Sequence, residues 1–256
     1  MKVTILQRNI EWANPSLNVQ RAEEAIDRNA GADLYVLPEM FSTGFCTQPE
    51  GIAESCDSDT LEWMKRKAAE IDAAIAGSVA VEQEGKYYNR FYFVKPDGSV
   101  TYYDKKHLFT YGGEHNRYQA GQERVVVEYM GVRILLAICY DLRFPVWSRN
   151  RKDYDMAIYV ASWPTPRVEA WKALLHARAI ENQCYVVGVN RVGKDPYCQY
   201  SGHSAIIDPY GKTLAECNED KECLLTAQID MDTLKAFREK FPVLEDADDF
   251  VLTPRE

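Results

Sequence analysis

The stretch Arg133–Trp147, RILLAICYDLRFPVW, runs apolar from Ile134 and turns polar and charged after Cys139. A Val/Ile/Leu-rich run of this length reads as a buried strand. A cysteine that ends such a strand is either an ordinary small core residue or a side chain presented at the rim of a crevice by a sharp strand-to-turn transition, as nucleophiles often are. Outward from this stretch the same pattern returns. LYVLPE ends in Glu39, AIYVASW in Trp163, and VVGVNR in Asn190 and Arg191. Ligands of open α/β sheets bind outside the carboxyl ends of strands, so these four ends are expected to converge.

Strand patterns are read at Val3–Gln7, Leu34–Leu37, Ala74–Val81, Asn89–Val94, Arg124–Tyr129, Val132–Cys139, Ala157–Ala161 and Tyr185–Asn190. Helical periodicity lies between several of them, over Leu17–Ala30, Thr60–Asp72, Arg167–Gln183 and Asp232–Glu239. The alternation predicts an α/β fold. Turn signals at Pro96-Asp97-Gly98-Ser99, Tyr129-Met130-Gly131 and Asp208-Pro209-Tyr210-Gly211 add antiparallel hairpins. Two stacked mixed sheets, each covered by helices on its outer face, accommodate both features. The expectation is a four-layer α-β-β-α sandwich, with residues 1–256 forming a single domain.

Composition narrows the function. A net charge of −9 gives no basic footprint for nucleic acid or for an anionic membrane surface. No apolar run approaches the roughly 20 residues of a membrane span. MKVTILQRNIEW lacks the apolar core of a secretory signal and reads as a first strand. Seven cysteines without CxxC pairs argue against a disulfide framework and a zinc ribbon. His107, His115, His176 and His203 show no metal-ligand spacing. A cytoplasmic protein without a metal or other cofactor is expected.

Several side chains stand out singly. Glu39 follows Leu37-Pro38 and precedes the apolar MFSTGF, which is awkward for a plain surface carboxylate and calls for a partner. Lys106, in YDKKHLF, reads by itself equally as a solvated lysine at a hairpin end. Phe41 and Trp163 either wall a pocket or pack the core. Arg167, at a helix start, is either a site for a carboxylate or a solvated arginine. Asp141, Arg143, Arg178 and Glu181 read as buried ion pairs holding the turn and the helix.

Taken together, LPEMFSTGF around Glu39, YDKKHLF around Lys106, GGEHNRYQAG around Glu114 and ICYDLRFPVWSRN around Cys139 resemble the nitrilase (carbon-nitrogen hydrolase) superfamily. Its signatures are a Glu after an apolar strand, a Lys in D-K-x-H-L-F and a Cys in C-Y-D-x-R-F-P. The likeness continues through YDMAIYVASWP, ARAIENQCYVVGVNRVG, SGHSAIIDPYG and REKFP. It is strongest to the bacterial omega-amidase branch, which hydrolyses the distal amide of 2-oxoglutaramate and related keto acid amides. The resemblance implies a nitrilase-like sandwich with Cys139 as nucleophile and Glu39 as general base. It also implies Lys106 and the backbone N–H of Tyr140 as oxyanion donors, and Glu114 as the residue orienting the lysine. The chemistry asks for these types: a thiol must lose its proton before attacking an amide, and the tetrahedral oxyanion needs donors.

The resemblance further implies a homodimer using the helix Arg167–Gln183 and the segment EKFPVLEDADDF. The same residues would serve other branches acting on deaminated glutathione, carbamoyl amines, aliphatic amides or nitriles, because specificity lies in the pocket. A non-catalytic binding protein on the same fold is the alternative outside enzymology, and the complete Glu/Lys/Glu/Cys set argues against it. A papain-like Cys-His hydrolase would need local signatures that are absent.

Overall fold

The pleat of the strands decides the layering. In Leu34–Val36, Leu34 and Val36 face one cluster of buried side chains while Tyr35 faces another, as the two-residue period of a strand requires. The computed structural model describes residues 1–253. The N-terminal half carries β1 (Lys2–Gln7), α1 (Pro15–Asp27), β2 (Leu34–Val36), β3 (Glu54–Ser55), α2 (Asp59–Ile71), β4 (Ala74–Gln83), β5 (Lys86–Val94) and β6 (Val100–Asp104). Next come β7 (Val126–Tyr129), β8 (Val132–Ile138), α3 (Pro145–Ser148), β9 (Met156–Ala161), α4 (Val168–Asn182) and β10 (Tyr185–Asn190). The chain continues with β11 (Val192–Lys194), β12 (Gln199–Ser201), β13 (Ala205–Ile207), β14 (Thr213–Glu216), β15 (Cys223–Gln228) and α5 (Met231–Lys240).

One sheet runs β15-β1-β2-β4-β5-β6, with β3 attached to β4, and the other runs β14-β13-β10-β9-β8-β7. Both are mixed. β1, β2 and β4 are parallel, as are β8, β9 and β10, whereas the flanking strands pair antiparallel. The three hairpin signals join β5 to β6, β7 to β8 and β13 to β14. In the second, Met130 (φ 49°) and Gly131 (φ 73°) both take the left-handed conformation that a tight two-residue hairpin demands.

The inner faces of the two sheets share one core. Ile5, Val36, Phe91 and Phe93 from one sheet meet Ile134, Leu136, Ile158 and Val187 from the other. Outside, Ala22 and Ile26 of α1 and Leu61 and Met64 of α2 cover the first sheet. Trp171, Leu175 and Ala179 of α4 cover the second. The α-β-β-α order expected from the sequence is the order found. Asn14 and Ser58 cap α1 and α2 by accepting from Leu17 N and Leu61 N.

The strands not given a range from the sequence are β3, β6, β11, β12, β13, β14 and β15. They are short, or half exposed like β15 and β14, so polar residues interrupt the apolar runs that mark buried strands. The parallel centres are β8, β9 and β10 in one sheet and β1, β2 and β4 in the other. Their parallel arrangement sends successive carboxyl ends to one edge of the sandwich.

Candidate active site

Glu39 leaves β2 through Leu37-Pro38 and is fully buried. Cys139 ends β8 and has φ 45°, a left-handed conformation rare for a residue with a side chain. It opens a short 3-10 helix, Cys139–Arg143. Asp141 fixes that turn: its Oδ2 accepts from Ile138 N (2.9 Å) and Tyr103 Oη (2.8 Å), and its Oδ1 accepts from His107 N (3.0 Å). His107 Nδ1 lies 2.7 Å from the same oxygen, and its ring stacks on Phe144 at 3.9 Å. The segment after β6 is thereby held against the cysteine turn.

The cation beside Glu39 is Lys105, not the expected Lys106. Lys105 is fully buried, with Nζ 2.8 Å from Glu39 Oε1 and 3.0 Å from Glu114 Oε2. Lys106 points the other way, its Nζ donating to Gln122 Oε1 (2.9 Å) in an exposed position and lying over the Trp147 ring at 5.5 Å. Strand parity explains the difference. Tyr103 is buried, and two residues later Lys105 points the same way. The signal was present twice: in that alternation, and in the register of D-K-x-H-L-F, whose first two letters fall on Asp104 and Lys105.

Glu114 is also fully buried and accepts from Phe109 N (2.6 Å) as well as from Lys105. Glu39 Oε2 accepts from Ser162 N (2.8 Å), at the carboxyl end of β9. Asn89, from β5, was not foreseen. Its Nδ2 donates to Glu39 Oε1 (2.8 Å) and to Glu114 Oε1 (3.2 Å). Glu39, Lys105, Glu114 and Cys139 thus come together from four separate segments, and the strand ends converge as expected. Asn190 Oδ1 accepts from Trp163 N (2.7 Å), while Arg191 lies buried beneath the Tyr200 ring at 4.5 Å.

Burial governs the electrostatics. It pushes the Cys139 thiol well above its ordinary range, and the Glu39 carboxylate adds to the rise by its charge and by accepting from the thiol, against the opposing pull of Lys105. Burial also raises Glu114, with Lys105 pulling the other way and Glu39 adding to the rise. Lys105 stays charged: desolvation acts against its ammonium, but Glu114 and Glu39 outweigh it and hold it above the usual lysine value. The resting thiol is therefore neutral, beside a group able to take its proton.

Cys139 faces a small cleft, partly open to solvent, lined by Phe45, Phe109, Tyr140, Arg143, Ser162, Trp163, Arg167, Cys198 and Tyr200 among others. Phe41 does not line it. That ring is buried against Trp63, 6.1 Å between centroids, under the helices of the first sheet, and Phe45 takes the wall position instead. Phe45 also lies beneath Lys105 Nζ at 5.2 Å. Trp163 lines the cleft and donates through Nε1 to Arg167 O (2.7 Å).

Arg167 also lines the cleft, its guanidinium over Phe109 (5.3 Å) and Tyr111 (5.9 Å). Arg143 is not the buried ion-pair residue expected. Among the described residues it has no carboxylate partner; it stacks over Trp163 at 4.8 Å and faces the cleft. Arg178 does form the expected helix pair, with Nη1 2.8 Å from Glu181 Oε1, and it donates to Leu142 O (2.5 Å) behind the cysteine turn. Tyr140 lines the cleft, and its backbone N–H belongs to the first turn of a helix, where N–H groups have no intrahelical acceptor.

A chain with a buried acid–lysine–acid cluster beside a cysteine at a strand end has clear relatives. The carbon-nitrogen hydrolase family model matches residues 2–239. This protein belongs to the carbon-nitrogen hydrolase family. Among curated proteins it is 47% identical to omega-amidase YafV of Escherichia coli (strain K12) over 98% of both chains. It is 39% identical to the 2-oxoglutaramate amidase of Bacillus subtilis (strain 168), covering 96% of this chain and 98% of that one. A solved structure from Xanthomonas campestris, XC1258, described as a CN-hydrolase superfamily protein with an arsenic adduct in its active site, superimposes with a TM-score of 0.96 at 42% identity over 99% of both chains. In this hydrolase the sequence patterns quoted for Glu39, Glu114 and Cys139 meet in one buried cluster.

Proposed function

We propose that this hydrolase is an omega-amidase, cutting the terminal amide of small 2-oxo dicarboxylic acid amides, 2-oxoglutaramate and 2-oxosuccinamate, to the keto acid and ammonia. The observation that carries the substrate class is the pair of guanidiniums, Arg143 and Arg167, facing the cleft that holds Cys139, with no carboxylate partner for either among the described residues. A guanidinium matches a carboxylate in a planar, two-point geometry. The curated relatives named omega-amidase and 2-oxoglutaramate amidase support the same reading.

In the proposed reaction Glu39 takes the proton of Cys139, and the thiolate attacks the amide carbonyl. Lys105 and the Tyr140 N–H receive the oxyanion, each such donor contributing about 3 kcal/mol. Glu39 then delivers its proton to the departing ammonia. A water activated by Glu39 hydrolyses the thioester and regenerates the thiol. Glu114, through its contact with the ammonium, keeps Lys105 aimed at the developing oxyanion.

Acid quenching of the enzyme during turnover of 2-oxoglutaramate, followed by peptide mass spectrometry, tests the reading. An acyl adduct on Cys139 is expected, and turnover without one, or an adduct on another cysteine, contradicts it.

The working form is proposed to be a homodimer in the cytoplasm. Ile180 of α4, Tyr210 and Phe241 are each more than half exposed, and the Tyr210 and Phe237 rings lie 3.9 Å apart. These form a continuous apolar surface of the kind that partners cover, and they include the helix and the C-terminal segment singled out from the sequence.

A further inference from the structure

The buried cluster holds two carboxylates and one ammonium, all fully inaccessible. One cation is too little for two anions that lie within hydrogen-bond reach of it, because a charge without compensation in such a place is costly. The missing polarity comes from Asn89, itself fully buried. Its single amide nitrogen donates one bond to Glu39 Oε1 (2.8 Å) and one to Glu114 Oε1 (3.2 Å). Its carbonyl O accepts from Lys105 N (3.0 Å), so the same residue also holds the backbone of the lysine.

The other end of this side chain is the telling observation. Asn89 Oδ1 is buried and finds no protein donor among the described residues, a condition that costs about 1–3 kcal/mol. Turning the amide over would give Oδ1 two carboxylate neighbours and take this shared donor from both acids. The orientation is therefore set by the acids. A residue serving only to fill space would be a leucine, of similar size and with no orphaned oxygen.

We infer that Asn89 is a positioning residue of the hydrolytic site, using both amide protons to fix Glu39 and Glu114 in place at either side of Lys105. This rests on the reading of Glu39 as the general base. Hydrogen bonds to a carboxylate favour its charged form. Removing the shared donor makes the pair easier to protonate, so the acid limb of the pH–rate profile moves to higher pH.

The test compares Asn89→Leu, Asn89→Ala and the parent enzyme on one amide the parent hydrolyses, with Glu39→Gln and Cys139→Ala alongside. For Asn89→Leu, kcat is expected to fall by about 10-fold to 100-fold, with KM within about twofold and the acid limb shifted to higher pH. If Asn89→Leu does not fold, Asn89→Ala removes both donors without adding a charge and is expected to show the same shift. A folded variant of either kind whose kcat and acid limb superimpose on those of the parent overturns the inference. Activity surviving in Glu39→Gln or Cys139→Ala would instead overturn the reading of the site on which it rests.

Discussion

At the scale of single residues, Cys139 rests as a neutral thiol because burial and the neighbouring Glu39 charge both disfavour its thiolate. The nucleophile must be generated at each turnover, which makes the base indispensable. Cys139→Ala is expected to abolish turnover with little change in thermal stability, and Glu39→Gln to cost about 10²–10⁴ in kcat. Lys105→Met is expected to lose about 10²–10³ in kcat, whereas Lys106→Met stays within about twofold, since its ammonium is solvated beside Gln122. Parallel steady-state kinetics on the two lysine variants check this, and the reverse pattern would return the oxyanion role to Lys106. Glu39 and Cys139 were legible in the sequence because each follows or ends an apolar run, whereas Glu114 was legible only through the family resemblance. Two adjacent lysines were not separable by charge or type; only the facing of Tyr103 and the register of the motif distinguish them. Asn89 gave no such signal, for an asparagine within the aromatic run of β5 looks like any interruption of a strand.

At the scale of elements, the site depends on segments that pass each other closely. Gly121 donates to Lys105 O (3.0 Å), and a Cβ there would lie 2.0 Å from Asp104 O. Gly121→Ala must therefore push the lysine-bearing segment aside, and kcat is expected to drop by at least about tenfold. Retention of full activity in that variant would show that the segment tolerates displacement. On the far side of the second sheet, Asp155 accepts from Arg133 of β8 (2.9 Å and 2.8 Å) and from Arg238 of α5 (2.7 Å). Burial acts to raise Asp155, but the hydrogen bonds from Arg133 and Arg238 outweigh it and hold its carboxyl below the usual value. A depressed folded value means stability present above the unfolded pKa and lost as pH falls through the folded one. Asp155→Asn should thus cost about 2–3 kcal/mol at neutral pH and progressively less in strong acid, as read by urea unfolding at several pH values. The parallel strands that carry these contacts were readable as apolar runs. The edge strands β14 and β15 were not, because none of their residues is fully buried and several face water.

At the scale of the whole molecule, two stacked sheets with parallel centres bring the ends of β2, β8, β9 and β10 to one rim. The rim places an acid, a thiol and an aromatic wall around one cleft. The alternation of strands and helices was enough to expect this layering, but not which rings face the cleft: Phe41 and Phe45 are four residues apart in one loop, and only the packing of Trp63 and Gly77 around the first tells them apart. The exposed surface of Ile180, Tyr210 and Phe241 predicts a dimer by light scattering at micromolar concentration, and Ile180→Glu is expected to shift it toward monomer.

The cleft's two guanidiniums, Arg143 and Arg167, carry the substrate assignment, and glutamine is the critical comparison. It matches 2-oxoglutaramate in length and carboxylate but adds an ammonium, an unpaired charge that a cationic cleft penalises. The deciding measurement is kcat/KM for 2-oxoglutaramate, glutamine, deaminated glutathione and a simple aliphatic nitrile, determined side by side on the same enzyme preparation. The account predicts that 2-oxoglutaramate is preferred over each of the others by at least about 100-fold, a difference of roughly 2.7 kcal/mol in transition-state binding. A higher kcat/KM for any of the other three would contradict it.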